Sequence, residues 1–163
     1  MIRTAKLLLA GVALFYTLVV SNNLTDFGSN AQFVRHVLLV DTTIPGNGGR
    51  WRSISSPAVD RIFYISIIAW EIVTGVLLWW GIVRLLRALR LPAAAFNAAK
   101  SLPMLALTLS LLLWLVAFLA VGGEWFLMRE SRAWNGQEEA FRSFTVIGIV
   151  FLAHLHPDTD AQS

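Results

Sequence analysis

The sequence predicts an all-α polytopic membrane protein: an antiparallel four-helix transmembrane bundle with a short amphipathic surface helix in its first extracytoplasmic loop. Three observations carry this reading. Apolar stretches at about residues 5–21, 61–83, 102–122 and 139–156 take up about half of a 163-residue chain. A helix needs ~20 mostly apolar residues to cover the ~30 Å hydrocarbon core of a bilayer, and residues 102–121 provide them without a single charge. Hydrophobic residues make up 56% of the chain and charged ones 14%, with a mean hydropathy of +0.65. An ordinary soluble domain carries about a quarter charged residues. Residues 1–163 supply one bundle, and therefore a single integral membrane domain.

The first span follows Arg3 and Lys6 and exits at Ser21, Asn22 and Asn23. A secretory signal has a similar shape, and Val19, Val20 and Ser21 make a passable cleavage site. The apolar run is long for a signal core, however, and three more follow, so a retained helix is the better reading. In the next forty residues or so, Ser29 or Asn30 is placed to cap a short helix over residues 31–40. Phe27, Ala31, Val34 and Leu38 fall on one face of it, with Gln32, Arg35 and His36 on the other. Such a helix is expected to lie on the membrane surface, apolar side down. Turn residues at 45–50 close the segment.

The second helix starts with Ser56 as N-cap and Pro57 at the first helical position, and its pattern runs to about Arg90 before Pro92. Its surplus length is a basic end with Arg84, Arg87 and Arg90, and Trp79 and Trp80 stand where an interfacial belt would be. Ser101 is expected to cap the third helix and Gly122 with Gly123 to end it. The fourth opens on Asn135 and Glu138, spaced as a capping box, and is the shortest of the apolar stretches. Arg84, Arg87, Arg90 and Lys100, without one acid among them, crowd the second connection, and Arg3 and Lys6 crowd the N-terminus. The remaining basic residues are spread over two longer loops and mixed with acids, so both termini are placed in the cytoplasm.

A formal charge of +3, with the basic residues beside apolar spans, fits membrane orientation and gives no basis for nucleic-acid binding. Cysteine is absent, which excludes disulfide staples, thiol redox chemistry and thiolate metal sites. No Gly-rich phosphate loop, His-Glu metal helix or nucleophile elbow is present. Haem would need two axial ligands at matching depth. Of the three histidines only His154 lies in a span, near its inner interface, so no cofactor, metal or catalytic residue is expected. Asn23, Leu24 and Thr25 match a glycosylation sequon, a short pattern that matters only in a eukaryotic secretory setting.

Glu71 is the sharpest candidate. It stands near the middle of the second span, where a carboxylate costs ~2.5–3.5 kcal/mol on insertion scales. Tyr64, Thr74 and Gly75 share its face, forming a polar stripe that should turn inward. The structural reading is a neutral Glu71 bonded to Ser110 or Thr108 across the bundle, fixing helix register, and the functional one is a proton or ion relay or a polar hook for a partner helix. A second candidate is an outer docking surface built from Asp26, His36, Asp41, Trp51, Arg52, Glu124, Trp125 and Trp134. Trp and Arg dominate interface hot spots. The plainer reading of the same charges is a set of loop–loop salt bridges worth less than ~1 kcal/mol each.

The loop motifs carry a resemblance. Asn23 to Asp26, Ser29 with Asn30, Phe33 with Val34, His36 to Leu38, Asp41 to Thr43 and Trp51 with Arg52 are its first half. Glu71 with Thr74, Gly122 to Phe126, Trp134 to Gln137 and Phe141 with Arg142 complete it. Over roughly residues 5–155 the chain resembles a bacterial family of predicted small integral membrane proteins, the domain of unknown function 2165. The resemblance implies four helices in a bacterial inner membrane and no particular activity. The resulting expectation is a non-catalytic accessory or scaffold component of an inner-membrane complex, in contact with lipid and either a larger assembly or further copies of itself. The alternative is a small transporter or channel that uses Glu71. An enzyme acting on lipid or quinone would rest only on the outer carboxylates and His36.

Overall fold

The computed structural model describes residues 6–159, and all the regular elements among them are helical. A 3-10 turn, Lys6–Leu8, leads into α1, Leu9–Thr25. After a single break at Asp26 comes α2, Phe27–Leu39. Helix α3, Pro57–Ala88, is 32 residues long, ~48 Å at ~1.5 Å per residue. A short helix α4, Ala93–Ala99, precedes α5, Ser101–Leu112, which continues as a wider coil of π type over Leu113–Trp125. The last helix is α6, Gln137–Leu155.

Among the described residues three helical stretches are long and apolar enough to cross a membrane: Lys6–Thr25, Pro57–Ala88 and Ala93–Trp125. Helix α6, the expected fourth span, falls outside that set because Glu138, Glu139 and Arg142 crowd its first turns. Helix α1 packs on α3, α3 on α5, and α6 on both α5 and the π segment. In lipid, apolar area gives no drive for helices to associate, so close packing of small residues has to do so. Ala13, Ala106 and Ala140 are fully buried in these contacts. At Gly81 a Cβ would come within 2.9 Å of the Pro103 ring, which sets how closely α3 and α5 approach. Large apolar side chains instead point outward, among them Leu18, Ile62, Val76, Val146 and Ile149. In water an apolar surface this extensive would be an aggregation liability, but it suits lipid.

Several boundaries differ from the sequence reading. Neither Ser29 nor Asn30 caps a helix; α2 starts at Phe27, and the Asn30 amide donates back to the Asp26 carbonyl. The apolar face of α2, expected to rest on lipid, packs on protein: Val34 and Leu38 bury against Tyr64, Ile68, Phe126 and Leu127. Ser56 and Pro57 begin α3 as expected, though the Ser56 hydroxyl makes no capping bond. Ser101 is not a cap, since its hydroxyl donates to the Ala98 carbonyl at 3.1 Å. Gly122 and Gly123 lie inside the π segment, which ends where the Phe126 amide reaches the Val121 carbonyl and Leu127 turns left-handed. The Asn135–Glu138 capping box does not form; Asn135 Oδ1 accepts from the Gln137 amide at 3.1 Å instead.

The two ends of the molecule are built differently. At one, which we call the loop end, residues 40–56 and 126–136 interlock. Thr42 bonds Ser131 at 2.8 Å, Asn47 donates to Glu130 at 2.9 Å, and Arg52 donates to the carbonyls of Glu124 and Trp125. At the opposite end, Lys6 donates to the Ala153 carbonyl and Lys100 to that of His156, so two ammonium groups meet the carbonyl-rich C-terminus of α6. Lys100 also pairs with the buried Asp158, whose backbone is clasped by Asn97. His154, expected at an interface, is only 2% exposed, with its Nδ1 on the Val150 carbonyl.

Candidate functional site

Helix α3 places Tyr64, Glu71 and Thr74 on one inward face, as their spacing predicts. The partner across the bundle is not the expected one. Ser110 bonds the Tyr16 hydroxyl at 2.6 Å, and Thr108 bonds back to its own helix at the Met104 carbonyl. It is Asn23, near the end of α1, that donates its Nδ2 to Glu71 at 2.7 Å. The Tyr64 hydroxyl donates to Asn23 in turn, 3.1 Å from its carbonyl and 3.3 Å from its Oδ1. Asn23 therefore bridges the two α3 side chains. Among the described residues the Thr74 hydroxyl, fully buried one turn below Glu71, has no hydrogen-bond partner.

This cluster borders a cavity of about 450 Å³. Glu71, 2% exposed, and Trp114 lie on its inner side; Asn22, Asn135 and Glu139 form an exposed rim; Asn30, Phe33 and Phe118 contribute to the wall. Among the described residues none of the lining side chains is basic. At the rim Glu139 is paired with Arg142 at 3.1 Å. Next to the cavity a second polar layer begins, where Trp114 donates its indole N–H to the Tyr16 hydroxyl at 3.1 Å, beside Ser110. Further toward the opposite end the interior is apolar, filled by Leu9, Leu78, Leu85 and Leu107. The Glu71 layer thus lies on the loop-end side of the Tyr16–Ser110 layer, which is near the middle of α1.

The expected docking residues separate into two groups. His36 stacks on Trp134 with ring centroids 4.8 Å apart and pairs with Asp41 at 2.8 Å. Trp51 meets Trp125 edge-on at 5.8 Å, with the Arg52 guanidinium 5.4 and 5.0 Å from the two rings. Glu124 joins this second group through its carbonyl, which accepts from Arg52, while its side chain pairs with Arg129. Asp26 belongs to neither; its carbonyl receives Asn30 at the α1–α2 break. Among the described residues the ion pairs at this end are local in sequence, and hydrogen bonds and ring contacts join the loops. Trp51 is 71% exposed and Trp125 49%.

Sequence reading missed Asn23, Tyr16 and Trp114. Tyr16 and Asn23 lie seven residues apart, which puts them on one face of a helix that continues past the apparent polar exit. Extending the first span to Thr25 would have brought Asn23 to the level of α3.

The model of the family described as predicted small integral membrane protein (DUF2165) matches residues 2–156. No curated protein and no solved structure matches the chain.

Proposed function

The chain belongs to this family of predicted small integral membrane proteins, and we propose that it is a non-catalytic accessory component of an inner-membrane protein complex. It threads the bilayer four times, with both termini in the cytoplasm and the loop end outside. The contact of Lys6 with Ala153 supports an even number of crossings, because it brings the two ends of the described chain together. Helix α6 suits lipid as the fourth crossing, since Val146, Ile149, Leu152 and Leu155 are more than half exposed on its outer face. The basic connection carrying Arg84, Arg87 and Arg90 supports the orientation.

The observation that carries the accessory role is the Trp51–Arg52–Trp125 group. Two large rings and a guanidinium are held in place by the carbonyls at the end of the π segment, and the rings remain open to a partner. Pre-ordered aromatic and Arg side chains lose little entropy on docking and supply most of the energy at interfaces. The partner is another integral membrane protein. Affinity purification in mild detergent should recover that protein with the wild type, and Trp51→Ala with Arg52→Ala should reduce the recovery at least tenfold. Repeated recovery of the chain alone, or only with copies of itself, contradicts the proposal.

One observation favours a second reading, a small transporter or channel: the cavity reaches Glu71. The apolar layers beyond it leave no polar route to the opposite end in this conformation. Proton or cation flux in proteoliposomes that Glu71→Gln abolishes would establish that reading in place of the first.

A further inference from the structure

We infer that the cavity at Glu71 is a binding site for a small organic cation, with the ammonium group on the Glu71 carboxylate and the carbon frame against Phe33, Trp114 and Phe118. The site is built rather than incidental. Its volume of about 450 Å³ falls within the ~300–1,000 Å³ typical of small-molecule pockets. Such pockets combine apolar and aromatic walls with a few convergent polar groups, and this one has Phe33, Trp114 and Phe118 around Glu71, Asn23 and Tyr64.

The charge pattern sets the sign of the ligand. Glu71 is deeply placed and has one carboxylate oxygen engaged by Asn23. Among the described residues no basic side chain lines the cavity, and the other acid there, Glu139, is already paired with Arg142 at the rim. Asn23 is held by Tyr64 as well, so the acceptor is fixed in position before any ligand arrives. The aromatic walls supply the second element of cation recognition. The face of an aromatic ring attracts an ammonium group, more strongly where water is excluded. Trp114 is oriented by its own hydrogen bond to Tyr16 and packs against Phe118 at 4.9 Å, so these rings are fixed too. An ammonium group supplies the counter-charge that lets a buried carboxylate ionise, whereas an anion would oppose that ionisation and a neutral ligand would do nothing for it.

The site does not depend on the docking role, because Trp51, Arg52 and Trp125 are not among the residues that line it. The test is calorimetric titration of the detergent-purified full chain at neutral pH with phenethylammonium, and in parallel with 2-phenylethanol, its uncharged match in shape. The ammonium compound should bind saturably, at least tenfold more tightly than the alcohol. Glu71→Gln, which keeps an acceptor for Asn23, should weaken the ammonium compound at least tenfold and leave the alcohol unchanged. Phe118→Ala should weaken both. Absence of saturable binding to the wild type overturns the inference, and so does equal affinity for the two compounds. Undiminished binding by a folded Glu71→Gln protein does the same.

Discussion

Glu71 stands out in the sequence because a carboxylate in an apolar run has an obvious cost, and for the same reason its location predicted an inward-facing polar stripe. Its partner was not legible. An asparagine at the end of an apolar run reads as an exit into water, and only the continuation of α1 to Thr25 shows Asn23 reaching across to α3. Because Asn23 satisfies both Glu71 and Tyr64, Asn23→Leu should destabilise the protein by about 1–3 kcal/mol, the cost of stranding a buried polar group. Glu71→Gln retains an acceptor for the Asn23 amide and should stay within about 1 kcal/mol of the wild type. Unfolding titrations in mixed micelles measure both. A large loss in Glu71→Gln would mean that the charge itself, rather than the acceptor, holds the two helices together.

At the scale of elements, periodicity and apolar length located the helices, whereas their ends were set by contacts that no local signal records. The Asn135–Glu138 spacing is a sound capping pattern, yet Asn135 folds onto the Gln137 amide. Helix α2 looked like a surface helix because its apolar stripe is genuine; the sequence could not show that α3 and the end of the π segment, rather than lipid, cover it. Val40 and Leu127 adopt left-handed backbone at φ of 52° and 56°, a conformation costing ~1–2 kcal/mol for such residues. Both side chains bury in the same cluster as Val34 and Leu38, which offsets that cost. The α3–α5 contact gives a direct prediction. Gly81→Val would drive methyl groups into Pro103 and should destabilise by about 1–3 kcal/mol. At the opposite end, Lys100 and Asp158 form a pair with side chains 7% and 2% exposed. Lys100→Met removes the carboxylate's direct partner and should cost about 3–5 kcal/mol, while Lys100→Met combined with Asp158→Leu should recover most of it. Equal losses in the single and double variants would show that the pair contributes little and that the carbonyl contacts of Lys100 matter instead.

For the whole molecule, composition already specified a helical chain in lipid, and three stretches meet the length and apolarity that a crossing requires. The fourth rests on packing and on the outward apolar face of α6, which the charges in its first turns conceal from a hydropathy measure. The proposed threading gathers the polar cavity, the interlocked loops and the exposed Trp–Arg group on one side of the membrane. Because the chain has no cysteine, single-Cys labelling in intact cells tests that arrangement without background. Gly48→Cys lies in the first long loop, Ala95→Cys in α4 and Thr159→Cys beyond α6, all at exposed positions. A membrane-impermeant maleimide should modify Gly48→Cys alone, with Ala95→Cys and Thr159→Cys reacting only after permeabilisation. Labelling of Ala95→Cys without Gly48→Cys would invert the orientation, and labelling of Thr159→Cys together with Gly48→Cys would mean an odd number of crossings and contradict the four-helix threading.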